Sequence, residues 1–576
     1  MANITAPEYI SPYVVTTSGG LVLDRDVYTM PVGAASILQN FEPSVRGGYR
    51  RLSGTSRFSS SQVGGSSSTI LGVAVFNNGV VAAQSTNVYF GTGSSWTSID
   101  SGRTSAGRYR FEKYNFSTNE ERLIFADGAN FASVYNGTTV MDIKGATTIS
   151  TTGSASNSST SLSVSSAAGI MEGMYIGGTN IGSGAKVSSI SGTTVTMSVA
   201  TTGTISSGSV TFAGLGTAPS DPSMVTAFKN HMFYAGMSAE PNTIVFSAIG
   251  DENDFTASNG AGSLNVDSTI IALKSFRGEL IIFCEDRIYK LAGNALADFA
   301  IAPISRNVGC SDAFSIQEIG GDVIFLAPDG LRTIAGTARI GDVELGTVSK
   351  QIQARISDIG FTNISSVVIR DKSQYRLFYP SGGLESAEKG IIGVLKSNPS
   401  GQIGWEYSDI RGIKPSCCDS GFISGVEKVI HGGFDGYVYL QESGNTFNGT
   451  AMKAIYRSPD LTMGDAGIRK NMQRINVNYD PEGSVNASLF VKYDFEDAGT
   501  PQPSAYTLST ADTAAVYDNS GTLYDSAVYD AEGMPIVRQS VEGSGFTVVI
   551  RLEDESSNPP ITLKGFELEF TPGARM

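Results

Sequence analysis

ELIIFCEDRIYKLAG, residues 279–293, sets the reading of the whole chain. Its apolar run is long enough for one buried strand, EDR is too polar to continue it, and IYKLAG begins a second strand. The same sentence recurs as HMFYAGMSAEPNTIVFSAIG (231–250), DVIFLAPDGLRTIAG (322–336), SQYRLFYPSGGL followed by GIIGVLK (373–396) and KVIHGGFDGYVYLQE (428–442). Upstream, GVAVFNNGVVAAQSTNVYFGTG (72–93) and ERLIFADGANFASVYNG (121–137) belong to the series. The turns offer Gly, Asn or Asp, which tolerate the positive φ of tight hairpins. The second strands carry Val, Ile, Leu or Tyr with the period of a half-buried sheet. Units recur at roughly 30–50 residues, the range of β-propeller blades. The expected fold is all-β, a propeller built from discontinuous segments.

The pattern is interrupted at 145–214, which holds one Lys (Lys186), one Glu (Glu172), no Arg and no Asp. Short strands separated by Ser/Thr-Gly turns predict a small inserted β-sandwich or barrel there, peripheral and removable because loop insertions cost little. After Asn448 the alternating strands lengthen, as in RKNMQRINVNYD and ITLKGFELEFTP, and predict a C-terminal antiparallel sandwich. The organisation expected is therefore a lead-in at 1–65, first blades at 66–144, the inserted module at 145–214, the remaining blades at 215–447 and the sandwich at 448–576. Helix is scarce; SKQIQARISDI (349–359), with Ile352, Ile356 and Ile359 at helical spacing, is the best candidate.

The 576 residues carry a formal charge of −15. That charge repels nucleic-acid backbone and disfavours a phosphate-clamping binder, while suiting a surface that DNA slides past. The four cysteines, Cys284, Cys310, Cys417 and Cys418, have no CxxC spacing and are expected as free thiols from a reducing compartment. The N-terminal stretch shows no secretory pattern, and no apolar run reaches the length of a membrane span. His231 and His431 are the only histidines and both start apolar strands, which favours structural imidazoles over a base or metal ligand. No catalytic residue, metal site or cofactor is expected. The enzymatic rival, a propeller glycosidase, needs paired carboxylates such as Asp251, Glu252 and Asp254 in GDENDF, or Glu285 and Asp286. Turn chemistry accounts for these more simply.

PVGAASILQNFEPSVRGGYRRLSGTSRF (31–58) resembles the opening of the nozzle proteins, the tail tubular protein B group, of short-tailed bacteriophages. Asn40, Phe41, Gly48, Tyr49, Arg50, Arg51, Gly54 and Thr55 carry that likeness. A second likeness lies in 244–291, at Ser247, Gly250, Asp251, Asp254, Phe255, Phe283, Ile288 and Tyr289, and a third in the Tyr-Asp pairs at 517–518, 524–525 and 529–530. The chain is shorter than the largest members of that family, and 145–214 resembles a Ser/Thr-Gly module of assorted tail and fibre proteins. The resemblance implies a virion tail component, assembled in the host cytoplasm as a homo-hexameric ring. Such a ring contacts the adaptor or gatekeeper ring and the tail fibres or spikes, and gates and conducts double-stranded DNA without binding it specifically. A sugar-binding or glycan-cleaving propeller adhesin is the alternative.

Within that reading, adjacent Arg50 and Arg51 point to opposite strand faces and are candidates for subunit or adaptor contacts, against a solvated surface pair. A structural role is favoured for the GDENDF turn. Asp251, Glu252 and Asp254 on that turn, taken as exposed, and Asp435 in GGFDGY are the candidates for lining a DNA channel.

Overall fold

The structure, a computed structural model, describes residues 11–575 except 27–28, 106, 117–120, 147, 336–346, 361–362, 381–388, 398–402, 498 and 511–535. The Tyr-Asp pairs at 517–530 lie outside the described residues. The chain is mostly β-strand in many small antiparallel sheets, as expected. It divides into two compact units: one takes in 1–70, 92–95 and 314–576, the other 71–91 and 96–313.

The second unit is a succession of four-stranded sheets. They comprise Ile70–Phe76, Gly79–Gln84, Asn87–Gly91 and Trp96–Asp100; then Arg110–Tyr114, Arg122–Ala126, Ser133–Tyr135 and Val140–Asp142. Two more follow at Met224–Phe228, His231–Ala235, Thr243–Phe246 and Gly262–Asn265, and at Ile270–Phe276, Glu279–Cys284, Ile288–Ala292 and Ala300–Ser305. Several hairpins turn on two consecutive residues of positive φ, such as Asn77–Asn78 (47° and 56°), Lys229–Asn230 (50° and 59°) and Arg277–Gly278 (48° and 79°). This backbone matches the right-handed twist of paired strands. Each sheet packs on its sequence neighbour. Phe76 and Val81 meet Phe125 and Tyr135; Ile124 and Val134 meet Met232 and Tyr234; Phe233 and Phe246 meet Leu280 and Ile282.

Between the second and third of these sheets lies the insertion. Its six strands run in the order Ile176–Gly178, Ile205–Phe212, Ile149–Ala155, Ser161–Val164, Thr194–Met197 and Val187–Ser191. The sheet closes on itself where Tyr175 bridges Lys186 and the Val187 amide donates to the Met174 carbonyl at 2.9 Å. Its interior is apolar and local, with Leu162, Met174, Val195, Val210 and Phe212 all buried. The outward positions Ser150, Thr152, Ser154, Ser161, Ser163 and Thr196 are exposed hydroxyls. The two-strand pairing of Gly145–Ala146 with Gly216–Thr217 closes its neck.

The first unit departs from the expected plan. A seven-stranded sheet contains Phe41–Pro43, Tyr49–Arg51, Ile561–Arg575, Ile468–Pro481 and Ile536–Ser540, with Ser11–Thr16 and Ser544–Gly545 at its margins. A nine-stranded sheet runs Ser365–Ile369, Gln374–Tyr379, Lys389–Ser397, Ile403–Arg411, Ile37–Gln39, Ala454–Arg457, Val548–Asp554, Val485–Tyr493 and Tyr506–Thr510. One apolar core joins them: the rings of Tyr49, Tyr456 and Phe566, contributed alternately by the two sheets, follow one another at 5.7 Å. The sandwich expected at 448–576 is thus completed by the lead-in strands and by the 373–396 unit, which is a hairpin of the nine-stranded sheet and not a separate small sheet. Alternation tells a strand which face to bury, but not which distant strand it pairs with.

The lead-in contributes a third time. Thr55–Arg57 is the outer strand of a four-stranded sheet otherwise made of Cys417–Ile423, Val426–Gly432 and Val438–Gln441. A three-stranded sheet covers Gln317–Ile319, Asp322–Ala327 and Gly330–Thr333. The expected helix shortens to a 3-10 turn, Lys350–Ile352, running into Gln353–Ile356; its three isoleucines are buried in the sandwich core.

Candidate functional site

The chain passes from sheet to sheet within the segment that bears the first family likeness. Ile37–Gln39 lies in the nine-stranded sheet, Phe41–Pro43 and Tyr49–Arg51 in the seven-stranded one, and Thr55–Arg57 in the four-stranded one. Each switch has a residue suited to it. Asn40 takes φ 54°, which Asn tolerates better than most residues. Its Nδ2 donates to the Lys453 carbonyl and its Oδ1 accepts from the Arg411 amide, both at 2.8 Å. Gly48 sits at φ 83°, where a Cβ would lie 2.4 Å from the Leu563 carbonyl oxygen. A Cβ at Gly54 would lie 2.2 Å from the Thr446 oxygen.

Arg50 and Arg51 do face opposite ways, and both find partners in their own chain. Arg50 forks onto Glu482 (2.5 and 2.7 Å) and reaches Glu42 at 3.3 Å. Arg51 is fully buried and donates to the carbonyls of Ser556 (2.6 Å), Asn558 (2.8 Å) and Asn445 (3.2 Å), beside Asp554 at 3.3 Å. Burial pulls the Arg51 guanidinium below its ordinary value, and Asp554 opposes the shift. The expected subunit contact is therefore corrected for Arg51: an enclosed guanidinium has no face to offer another chain.

Glu42 centres a charge network. It accepts from Lys372 (2.6 Å), Gln374 (3.0 Å) and Arg376 (3.3 Å) as well as Arg50. Glu442 accepts from Lys372 at 2.5 Å and from Arg376. Burial alone would raise the Glu442 carboxyl, but Arg376 and Lys372 outweigh it and hold the group at about 2. This network ties the lead-in to the strands at Gln374–Tyr379 and Val438–Gln441. Sequence reasoning missed it. The available signal was Arg376, a charge in the middle of the apolar run QYRLFY, which calls for a buried partner.

The GDENDF turn is a second hub, and the expectation of an exposed acidic turn is corrected. Glu252 and Asp254 are buried and Asp251 is half-buried. Asp251 pairs with Lys186 at 3.5 Å, and Glu252 with Arg122 at 2.7 Å. Asp254 accepts from the Thr256 amide (2.8 Å) and from Asn259 (2.7 Å). Asn253 accepts from the Gly145 amide at 3.1 Å, and the Phe255 amide donates to the Leu215 carbonyl at 2.5 Å. The turn thus grips both ends of the inserted module. Burial raises the Asp251 carboxyl, and the Asn253 amide and Lys186 counter it only in part.

Of the channel candidates, Asp435 alone is exposed; it accepts from the Tyr439 hydroxyl at 2.6 Å. Next to it, His431 is 4% exposed and stacks on Tyr439 at 5.1 Å. Burial drives its imidazole down to about 3, against the pull of Asp435, so it is neutral across the physiological range. His231 is fully buried, with Nδ1 2.5 Å from the Ser247 carbonyl. Of the remaining carboxylates weighed for glycosidase chemistry, Asp286 pairs with Arg287 at 2.8 Å. Among the described residues no group of three or more His, Cys, Asp or Glu is placed to hold a metal ion, and no helix is long and apolar enough to cross a membrane.

No family model and no curated protein matches the chain. Among solved structures it is similar to the computationally designed Ika8 protein, at 13% identity over 66% of this chain and 98% of that one, with a TM-score of 0.31. It is also similar to Sqt1 of Saccharomyces cerevisiae (11% identity, 67% and 98% covered, TM-score 0.31) and to Hsv2 of Kluyveromyces lactis (9%, 59% and 97%, TM-score 0.26). Likenesses at these scores support no inference about what the chain does.

Proposed function

We propose that the chain is the nozzle subunit of a short phage tail: a structural protein that assembles as a hexameric ring in the virion, seats against an adaptor ring, carries fibres or spikes, and lets genomic DNA pass. The observation that carries this reading is the placement of the residues behind the first likeness. Asn40, Gly48, Arg51 and Gly54 are the positions where the chain switches sheets or packs backbone against backbone, so a family sharing this fold would need those residue types there. The second likeness falls on a hub of the same kind, the turn at Asp251–Phe255. The four-stranded sheets that stack in sequence order within the second unit suit the propeller that the spacing of the hairpin units predicts.

The charge of −15 per chain suits a conduit that DNA passes without sticking. Asp251, Glu252 and Asp254 are no longer candidates for its wall. The test is the assembled state. Light scattering is expected to give six times the 60.5 kDa chain mass, and negative-stain micrographs to show rings with a central opening. A monomer at every concentration, with no rings on mixing with an adaptor ring, would remove the proposal.

A further inference from the structure

The HGGFDGY hairpin (431–437) borders a half-open cleft of about 350 Å³, of which the channel reading uses Asp435 alone. It is built from separate stretches of chain: Thr55 of the lead-in, Gly412–Lys414, the hairpin itself, Tyr439, and Phe447–Asn448. The size falls at the lower end of small-molecule sites. Three aromatic rings, Phe434, Tyr439 and Phe447, share the lining with the Asp435 carboxylate, the Lys414 ammonium and the His431 imidazole.

His431 is the informative member. It is more than nine-tenths buried, yet its Nδ1 has no hydrogen-bond partner. A buried polar group left in that state destabilises the fold, and such groups in native proteins call for an explanation. A neutral imidazole presents one donor and one acceptor. Asp435 accepts from the Tyr439 hydroxyl on one oxygen and from the Tyr437 amide on the other, and each oxygen keeps a lone pair for a further bond. The aromatic faces offer apolar area to a ligand with a C–H face.

We infer that this cleft binds one ring of a neutral glycan, its hydroxyls meeting His431 and Asp435 and its C–H face resting on the aromatic lining. The alternatives fit less well. An apolar ligand would leave the imidazole unpaired. A phosphorylated or carboxylated one would enter beside Asp435 on a chain of charge −15. The inference does not rest on ring assembly, since sugar binding is read on the chain itself; Thr55 and Asp435 alone also figure in the family and channel readings.

Saturation-transfer NMR on the full chain tests it, with glucose, galactose, mannose, N-acetylglucosamine and rhamnose as probes and with glucose 6-phosphate and N-acetylneuraminate as the anionic arm. At least one neutral sugar is expected to bind with a millimolar Kd. His431→Phe keeps the ring on Tyr439 but removes both nitrogens, and Asp435→Asn removes the charge; each is expected to weaken binding tenfold or more. The melting temperature should not fall, and the oligomeric state should stay unchanged. Should His431→Phe fail to fold, Lys414→Ala at the exposed rim takes its place, with a loss of several-fold expected. Silence from every neutral sugar, response to the anionic sugars alone, or binding unaltered by all three substitutions would each overturn the inference.

Discussion

The sandwich of the first unit and the inserted barrel solve the same problem by opposite means. The barrel buries Leu162 through Leu215, all from its own stretch of chain, and its body carries only Lys186 and Glu172 as charges. The sandwich is assembled from strands hundreds of residues apart, such as Tyr49–Arg51 against Ile561–Arg575, and places ionic groups inside. Local apolar closure gives a piece that folds on its own terms. Long-range assembly leaves many ways to mispair, and buried charges that accept only one set of partners narrow the choice. A buried network is a weak source of net stability when intact, but a strong penalty when one partner is removed.

The largest effect is therefore expected at Arg51. Arg51→Met removes three bonds to carbonyls and leaves Asp554 buried beside an apolar side chain. A loss of about 3–5 kcal/mol is expected for the first unit. The two tryptophans make this measurable: Trp405 packs on the sandwich core, and Trp96 lies in the second unit. In a Trp96→Phe background, the urea midpoint of Trp405 emission should fall sharply. A midpoint unchanged by Arg51→Met would mean that the lead-in is not held as described.

Acid should separate the two regions next. The Glu442 carboxyl is depressed from an ordinary value of 4.5 to about 2. A depressed carboxyl stabilises the fold fully above its unfolded value and loses that contribution as pH falls through the folded one. The first unit should thus weaken between about pH 4.5 and pH 2, by roughly 2–3 kcal/mol from this group once its partial exposure is allowed for. Glu442→Gln should lie lower at pH 7 and flatten that slope. A wild-type slope that persists in the variant would place the acid sensitivity elsewhere. The barrel, with a single acidic residue in its body, should not share it.

The same contrast explains what the sequence disclosed. Hairpins such as 279–293 were legible because strand period and turn chemistry are local properties. The pairing of 41–51 with 561–575 was not, since nothing in either segment names the other. Arg51 and Glu252 were misjudged for a related reason. Composition places charged residues at the surface, and only their partners at Asp554 and Arg122, distant in sequence, reveal that they are enclosed. At Gly48 a local demand, the φ of 83°, coincides with a distant one, the Leu563 carbonyl oxygen 2.4 Å from where a Cβ would sit. Gly48→Ala, forced to φ 83° against the Leu563 carbonyl, should cost about 1–3 kcal/mol and lower the Trp405 midpoint less than Arg51→Met does.

The smallest effect is expected from removing the barrel altogether. Its two chain ends meet at the neck, where the Gly214 amide donates to the Thr148 hydroxyl at 3.2 Å, so a linker of a few residues can replace 149–212. Excision forfeits the pair between Lys186 and Asp251, a partly exposed bond at 3.5 Å worth at most about 1 kcal/mol. It leaves intact the grip of the Asp251–Phe255 turn on Gly145 and Leu215. In a Trp405→Phe background, Trp96 emission should report a second unit melting within about 1 kcal/mol of the parent, and Lys186→Ala alone should move it less. A deletion variant that aggregates or loses cooperative melting would show that the barrel braces the sheets on either side of it. Its separateness would then lie in its sequence alone, and not in its energetics.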